Sequence, residues 1–189
     1  MDNIVGLFTS TQGRISRKSW WLGVIILIVA NLIISFLLLP LVGVSMIPNM
    51  GALVTPSGDV DAAALSQTIT DSMRRSSWAS LIVFVIFAYP GYALSVKRRH
   101  DKDNNGMDVL IYFALTAVVL LIGALGIGWE TMTVGEVTIP TPSMWLNLLN
   151  LAVGIYALYL LVVLGFLKGT PGPNQYGPDP LAGTAAAAA

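Results

Sequence analysis

The stretch from Trp20 to Gly43 reads WWLGVIILIVANLIISFLLLPLVG, and only Asn31 and Ser35 interrupt its apolar character before Pro40. A hydrocarbon core about 30 Å thick needs roughly 20 residues of helix at about 1.5 Å per residue, so this run is long enough to cross it. Arg14, Arg17 and Lys18 precede the run, as they would in a secretory signal. A signal core extends for only about 7–15 residues, however, and no small-residue cleavage site follows this one. The stretch therefore reads as a retained transmembrane helix. Three further runs follow at about Trp78 to Val96, Asp108 to Trp129 and Met144 to Leu167, each with Trp or Tyr near an end. Their continuous apolarity, without alternation, argues against β-barrel strands. Pro90-Gly91 inside the second run is expected to kink it. The expected fold is an all-α integral membrane protein with four transmembrane helices in a bundle. Residues 1–181 would form a single transmembrane domain, ahead of a low-complexity Ala-rich tail at 182–189.

The composition agrees with that reading. Mean hydropathy is +0.75 and only 11% of residues are charged, against about a quarter in soluble domains. Ten Lys and Arg balance ten Asp and Glu, which leaves no net charge to attract nucleic acid. Absence of Cys excludes disulfides, cysteine-ligated metals and thiol catalysis. Eight of the ten basic residues fall before the first span, between the second and third, or after the fourth; only Arg74 and Arg75 lie on the other side. The positive-inside rule then places both termini in the cytoplasm.

On the external side, residues 45–58 carry Pro48, Gly51, Pro56 and Gly58 and read as irregular. From Asp59, a good N-cap, Leu65, Ile69 and Met73 recur at i, i+4, i+8. The segment is expected to form a short amphipathic helix on the outer surface, part of the expected fold, with a helix that extends the second span as the other reading. The other external connection, Glu130 to Ser143, has Thr and Val residues around Gly135 and permits a small hairpin. The alanine run from Ala185 to Ala189 is native or an expression remnant and is left out of fold reasoning.

Three segments carry a resemblance: Gly13-Arg14-Ile15-Ser16-Arg17-Lys18-Ser19-Trp20-Trp21, then Lys97-Arg98-Arg99-His100-Asp101 with Gly106, and finally Gly169-Thr170-Pro171-Gly172-Pro173-Asn174-Gln175-Tyr176-Gly177-Pro178-Asp179-Pro180. Together they resemble the DUF805 family of small bacterial inner-membrane proteins, whose biochemical role is undefined. The chain departs from the family pattern at Arg99, where Leu is usual, and at Met107 and Asp108, where aromatic residues are usual. All three segments fall on the side that the charges make cytoplasmic. They are expected to pack into one cap, with Asn174 and Asp179 in turn contacts, Tyr176 as an interfacial ring, and Asp179 paired to Arg14, Arg17, Arg98 or Arg99. The basic clusters Arg14, Arg17, Lys18, Lys97, Arg98 and Arg99, with His100 and Asp101, are the candidate contacts to anionic headgroups or a partner protein. The competing reading makes these segments topology anchors only.

Chemistry is sparsely signalled. His100 is the only His and is followed by Asp101, but adjacent residues seldom achieve proton-transfer geometry and no nucleophile is specified. A conventional multi-His metal site is excluded. Asp101 to Asp108 reproduces the D-x-D-x-N-G opening of an EF-hand loop, yet the twelfth position is Tyr112 rather than Glu. No Asp, Glu, Lys or Arg lies well within a span, which argues against a charge-lined ion path. Asn31, Asn147 and Asn150 are expected to bond between helices, and Ala124 and Gly128 to allow close helix contact. The expected function is that of a non-enzymatic inner-membrane protein whose cap, residues 13–21, 97–106 and 169–180, binds anionic lipid or a partner protein. The alternative is a small transport or channel subunit acting as an oligomer. Membrane lipids, a homo-oligomer or a membrane-protein partner are the expected partners, with no nucleic acid, cofactor or metal.

Overall fold

The computed structural model describes residues 4–41 and 61–182. Expectations for the irregular segment 45–58, the Asp59 cap and the alanine run lie outside them. The chain is mostly helical. Among the described residues, four helices are long and apolar enough to cross a membrane, at Arg17–Leu41, Ala62–His100, Met107–Ala124 and Met144–Phe166. Their outward side chains stay uncovered by protein, as with Leu22, Ile25, Phe36, Ile82, Val85, Leu151 and Leu158. Exposed apolar surface on this scale, on helices of this length, is the build of a multi-pass membrane protein.

A short helix, α1 (Ile4–Thr9), precedes the first span. That span consists of α2 (Arg17–Ile33), a π-helical turn at Ile34–Leu38 and the short α3 (Leu39–Leu41). Pro40 has no N–H to give the carbonyl four residues back, and the helix widens into the π turn just before it.

α4 runs without a break from Ala62 to His100 and contains Pro90. The expected separate amphipathic helix before the second span is corrected: Leu65, Ile69 and Met73 lie in the first turns of α4, which extends the span without a break. Its cap is Asp61, whose Oδ1 accepts the N–H groups of Ala63 and Ala64 at 3.0 Å. After α5 (Met107–Ala124) comes an antiparallel hairpin, β1 (Trp129–Val134) and β2 (Val137–Pro142), in register from Trp129 opposite Pro142 to Val134 opposite Val137. Gly135, at φ +63°, takes the first position of its two-residue turn, where only glycine is comfortable. α6 (Met144–Leu161) continues into a π-helical turn at Val162–Phe166.

Contacts group the chain into two compact units, Met1–Ala30, Val85–Thr116 and Val153–Ala189 in one, Asn31–Phe84 and Ala117–Ala152 in the other. Within the second unit, Ser66 Oγ on α4 accepts the Thr138 N–H of β2 at 3.0 Å, so the first turns of α4 meet the hairpin. The Trp145 ring lies against Gly128, which leaves no room there for a side chain. The span amides bond locally rather than between helices. Asn147 Nδ2 donates to the Pro142 carbonyl at 2.9 Å and Asn150 Nδ2 to that of Leu146 at 2.8 Å, while Asn31 Oδ1 accepts from Ser35 at 3.5 Å. In each case the partner lies within five residues along the chain. Within the first unit, Leu7, Ile15, Trp20, Leu94, Val109, Leu160 and Leu164 form the apolar core that supports the polar layer described next.

Candidate functional site

The three sequence segments converge at one end of the first unit, and the reason is where α4 stops. Its last turn is Lys97-Arg98-Arg99-His100, and the chain then reverses: the Arg99 carbonyl accepts from Lys102 and Asn104, Asp103 adopts φ 56° and Gly106 φ 73°. Asn104 and Asn105 close the loop by accepting the Gly106 and Met107 N–H groups at 2.9 and 3.1 Å. A side chain at Gly106 would run into Val96.

Arg14 reaches into this bend with its side chain only 1% exposed. Its Nε and Nη2 donate to Asp101 Oδ1 at 3.2 and 3.0 Å, Nη2 also to the Thr170 carbonyl at 2.8 Å, and Nη1 to the carbonyls of Gly172 and Gly177 at 2.7 and 3.3 Å. One guanidinium thus joins the pre-helix segment, the loop and the tail. Arg98, fully buried, donates to Asp101 Oδ2 from Nη1 and to the Leu164 and Leu167 carbonyls at 2.8 and 2.5 Å. Trp21 Nε1 donates to the Gly165 carbonyl at 3.1 Å and Arg17 Nη1 to that of Phe166 at 3.2 Å. Four successive carbonyls at the end of the last span therefore each receive a side-chain donor, the groups that a helix C-terminus leaves without intrahelical partners.

Lys97 serves α1 in the same way: Nζ donates to the carbonyls of Gly6 and Leu7 at 2.6 and 2.8 Å. Arg99 pairs with Asp108, Nη2 to Oδ2 at 2.9 Å. His100 donates from Nδ1 to the Gly13 carbonyl at 3.1 Å, and its ring stacks on Tyr176 with centroids 3.9 Å apart and planes 4° from parallel. Asn174 donates from Nδ2 to the His100 carbonyl at 2.8 Å and accepts the Tyr176 N–H at 2.9 Å, so the tail is hydrogen-bonded to the loop. Thr170 N donates to the Asp101 carbonyl at 2.8 Å. A Cβ at Gly169 would collide with the Asp101 carboxylate.

Two sequence expectations are corrected here. Asp179 is not the partner of Arg14, Arg17, Arg98 or Arg99. Its oxygens accept the N–H groups of Leu181 at 2.9 Å and Gly172 at 3.0 Å, bonds that hold its carboxyl below the usual carboxylate range. The carboxylate between the arginines is Asp101. Second, Lys97, Arg98 and Arg99, expected as headgroup contacts, are all buried and turned to carbonyls, Asp101 or Asp108. Of the basic residues at this end of the first unit, Arg17, Lys18 and Lys168 are exposed. His100 and Asp101 have separate partners: the carboxylate goes to arginines and the imidazole to Gly13 and Tyr176. The oxygens of the 101–108 loop are likewise committed: those of Asp101 and Asp108 to arginines, those of Asn104 and Asn105 to backbone N–H, and Oδ1 of Asp103 to Gln175.

Sequence reasoning missed the roles of Gly169, Trp21 and Lys168. For Asp101 a signal was available, since it stands three residues after Arg98 on the end of a helix, the spacing of a facing pair. Two cavities flank the cap. One of about 440 Å³ has Ser16, Arg17, Lys168, Thr170, Pro171 and Asp179 on its wall. The other, an open groove of about 550 Å³, runs over Lys18, Trp21, Leu22, Ile25 and Gly165 and shares Arg17 with the first.

The family model described as "Protein of unknown function (DUF805)" matches residues 8–178. Neither the curated proteins nor the solved structures give a match.

Proposed function

The chain belongs to the DUF805 family, and from that premise we propose that it is a non-enzymatic, multi-pass protein of the bacterial inner membrane. Both termini are cytoplasmic, and the cap captures the phosphate groups of membrane phospholipid. The observation that carries this reading is the division of labour among the cations. Arg14, Lys97, Arg98 and Arg99 are buried side chains spent on internal partners: carbonyls of the tail, of α1 and of the last span, and the carboxylates of Asp101 and Asp108. Lys18, Lys168 and Arg17, the last with one bond to the Phe166 carbonyl, stay exposed at the cap, and Arg17 and Lys18 border an apolar groove on the first span. Cations next to lipid-facing apolar surface attract headgroup phosphate at about 1 kcal/mol each. The buried network serves the function indirectly, by fixing the backbone from which these cations project.

The test is native mass spectrometry of the detergent-purified chain, comparing wild type with Arg17→Gln/Lys18→Gln/Lys168→Gln. Wild type is expected to carry phospholipid and the triple variant to lose most of it, with thermal stability lowered by no more than the loss of the single Arg17–Phe166 hydrogen bond. Equal retention by both would refute the reading. A fixed oligomer without bound phospholipid would instead favour the small transport or channel subunit.

A further inference from the structure

The two cavities at the cap meet at Arg17, and their walls differ in kind. The groove beyond Arg17 is Trp21, Leu22 and Ile25 on the side of α2, a surface suited to an acyl chain. The 440 Å³ cavity on the other side carries both signs of charge: Arg17 and Lys168 as cations, Asp179 as an anion, with Ser16 and Thr170 as neutral polar groups. Arg98 and Asp101 also border it, but they bond each other and Asp101 bonds Arg14 as well, so neither is free to pair with a ligand.

A simple phosphate or glycerophosphate ligand would be drawn to Arg17 and Lys168 and would then face the Asp179 carboxylate, whose charge two backbone N–H groups and Arg14 only partly offset. Each Asp179 oxygen takes one backbone N–H, which leaves acceptor capacity on both. A headgroup that presents phosphate and a hydrogen-bonding ammonium a few atoms apart satisfies both sides.

We propose that the paired cavities bind one phospholipid whose headgroup is zwitterionic with a primary ammonium, a phosphoethanolamine lipid: phosphate at Arg17 and Lys168, ammonium at Asp179, one acyl chain along Trp21, Leu22 and Ile25. This rests on the phosphate-capture reading above and adds the headgroup class. A choline headgroup carries the same charges but has no N–H to donate, so it fits the acceptor side less well.

The full-length chain is reconstituted in nanodiscs holding equal parts of phosphatidylethanolamine, phosphatidylglycerol and phosphatidylcholine with matched acyl chains, then extracted, and the retained lipids are weighed by native mass spectrometry. Phosphatidylethanolamine is expected to exceed both others. Asp179→Asn should remove that preference by about fivefold, the size of one partly screened ion pair, while Arg17→Gln lowers all three lipids together. Amide exchange over residues 169–182 checks that the Asp179→Asn tail stays docked. If it does not, a series of N-methylated phosphatidylethanolamines on the wild-type chain replaces the variant, with retention expected to fall as N–H groups are lost. Phosphatidylglycerol retained as well as phosphatidylethanolamine overturns the headgroup assignment and leaves phosphate capture standing. No retained phospholipid of any kind overturns both.

Discussion

Replacing Asp101 by Asn removes one negative charge from between two buried guanidiniums, and the geometry sets the size of the effect. Asp101 Oδ1 takes two bonds from Arg14, at 3.2 and 3.0 Å, and Oδ2 takes one from Arg98. The side chains of Arg14, Arg98 and Asp101 are 1%, 0% and 6% exposed, so the screening that makes surface ion pairs nearly worthless does not apply. An Asn retains one acceptor oxygen but turns an amide N–H₂ toward one guanidinium, and both cations lose the carboxylate that bonds them. Breaking a buried pair by removing one partner costs about 3–5 kcal/mol. The carbonyls of Leu164, Leu167, Thr170, Gly172 and Gly177 still hold the arginines, which favours the lower end. A loss of about 3 kcal/mol raises local opening roughly a hundredfold. The assay is native-state amide exchange at Thr170, Asn174 and Gly177, whose N–H groups bond the Asp101, Gly177 and Asn174 carbonyls. Protection at these three should fall by about two orders of magnitude in Asp101→Asn, and not at all in the control Glu136→Gln, on the exposed hairpin turn. A fall of less than about threefold would mean that Asp101 does not hold the cap, and the account of the buried arginines would be wrong.

Gly169→Ala should undock the tail, because the new Cβ has to displace the Asp101 carboxylate; a cost of about 1–3 kcal/mol would appear as faster protease cleavage near residue 170. Tyr176→Ala removes the ring stacked on His100 and should cost about 0.5–1.5 kcal/mol by the same assay. The Leu181 and Gly172 N–H groups depress the Asp179 carboxyl, so its contribution to tail docking is complete at neutral pH and is lost as the pH falls through its lowered folded-state value. Tail proteolysis scanned downward in pH should rise only below the ordinary carboxylate range, and this low-pH rise should be smaller in Asp179→Asn. For topology, reporter fusions at residue 104 and at the C-terminus should read cytoplasmic and one near residue 57 external; an external signal at residue 104 would reverse the proposed orientation.

The spans were legible in the sequence because crossing a hydrocarbon layer demands a property that composition carries directly: a long enough run of apolar residues, such as Trp20 to Gly43, with no partner specified. The hairpin was legible for a similarly local reason, since Thr and Val on both sides of Gly135 favour strands and the glycine supplies the turn. Convergence of three basic or Pro-rich segments at one end followed from charge and resemblance. What the sequence could not decide was the pairing within that end. It contains several arginines and several acids, and residue type alone made Asp179 as eligible as Asp101. The tertiary structure chose, because the fold delivers the N–H groups of Gly172 and Leu181 to Asp179, while the end of α4 buries Asp101 between Arg14 and Arg98. The same holds for Lys97, Arg98 and Arg99. A basic cluster next to a membrane span reads as a headgroup site until the open carbonyls of α1 and of the last span are brought against it. Those carbonyls belong to residues 66 to 91 positions away along the chain. Apolar length is a local property, whereas the partner of a buried charge is set by whatever the fold brings within 3 Å of it.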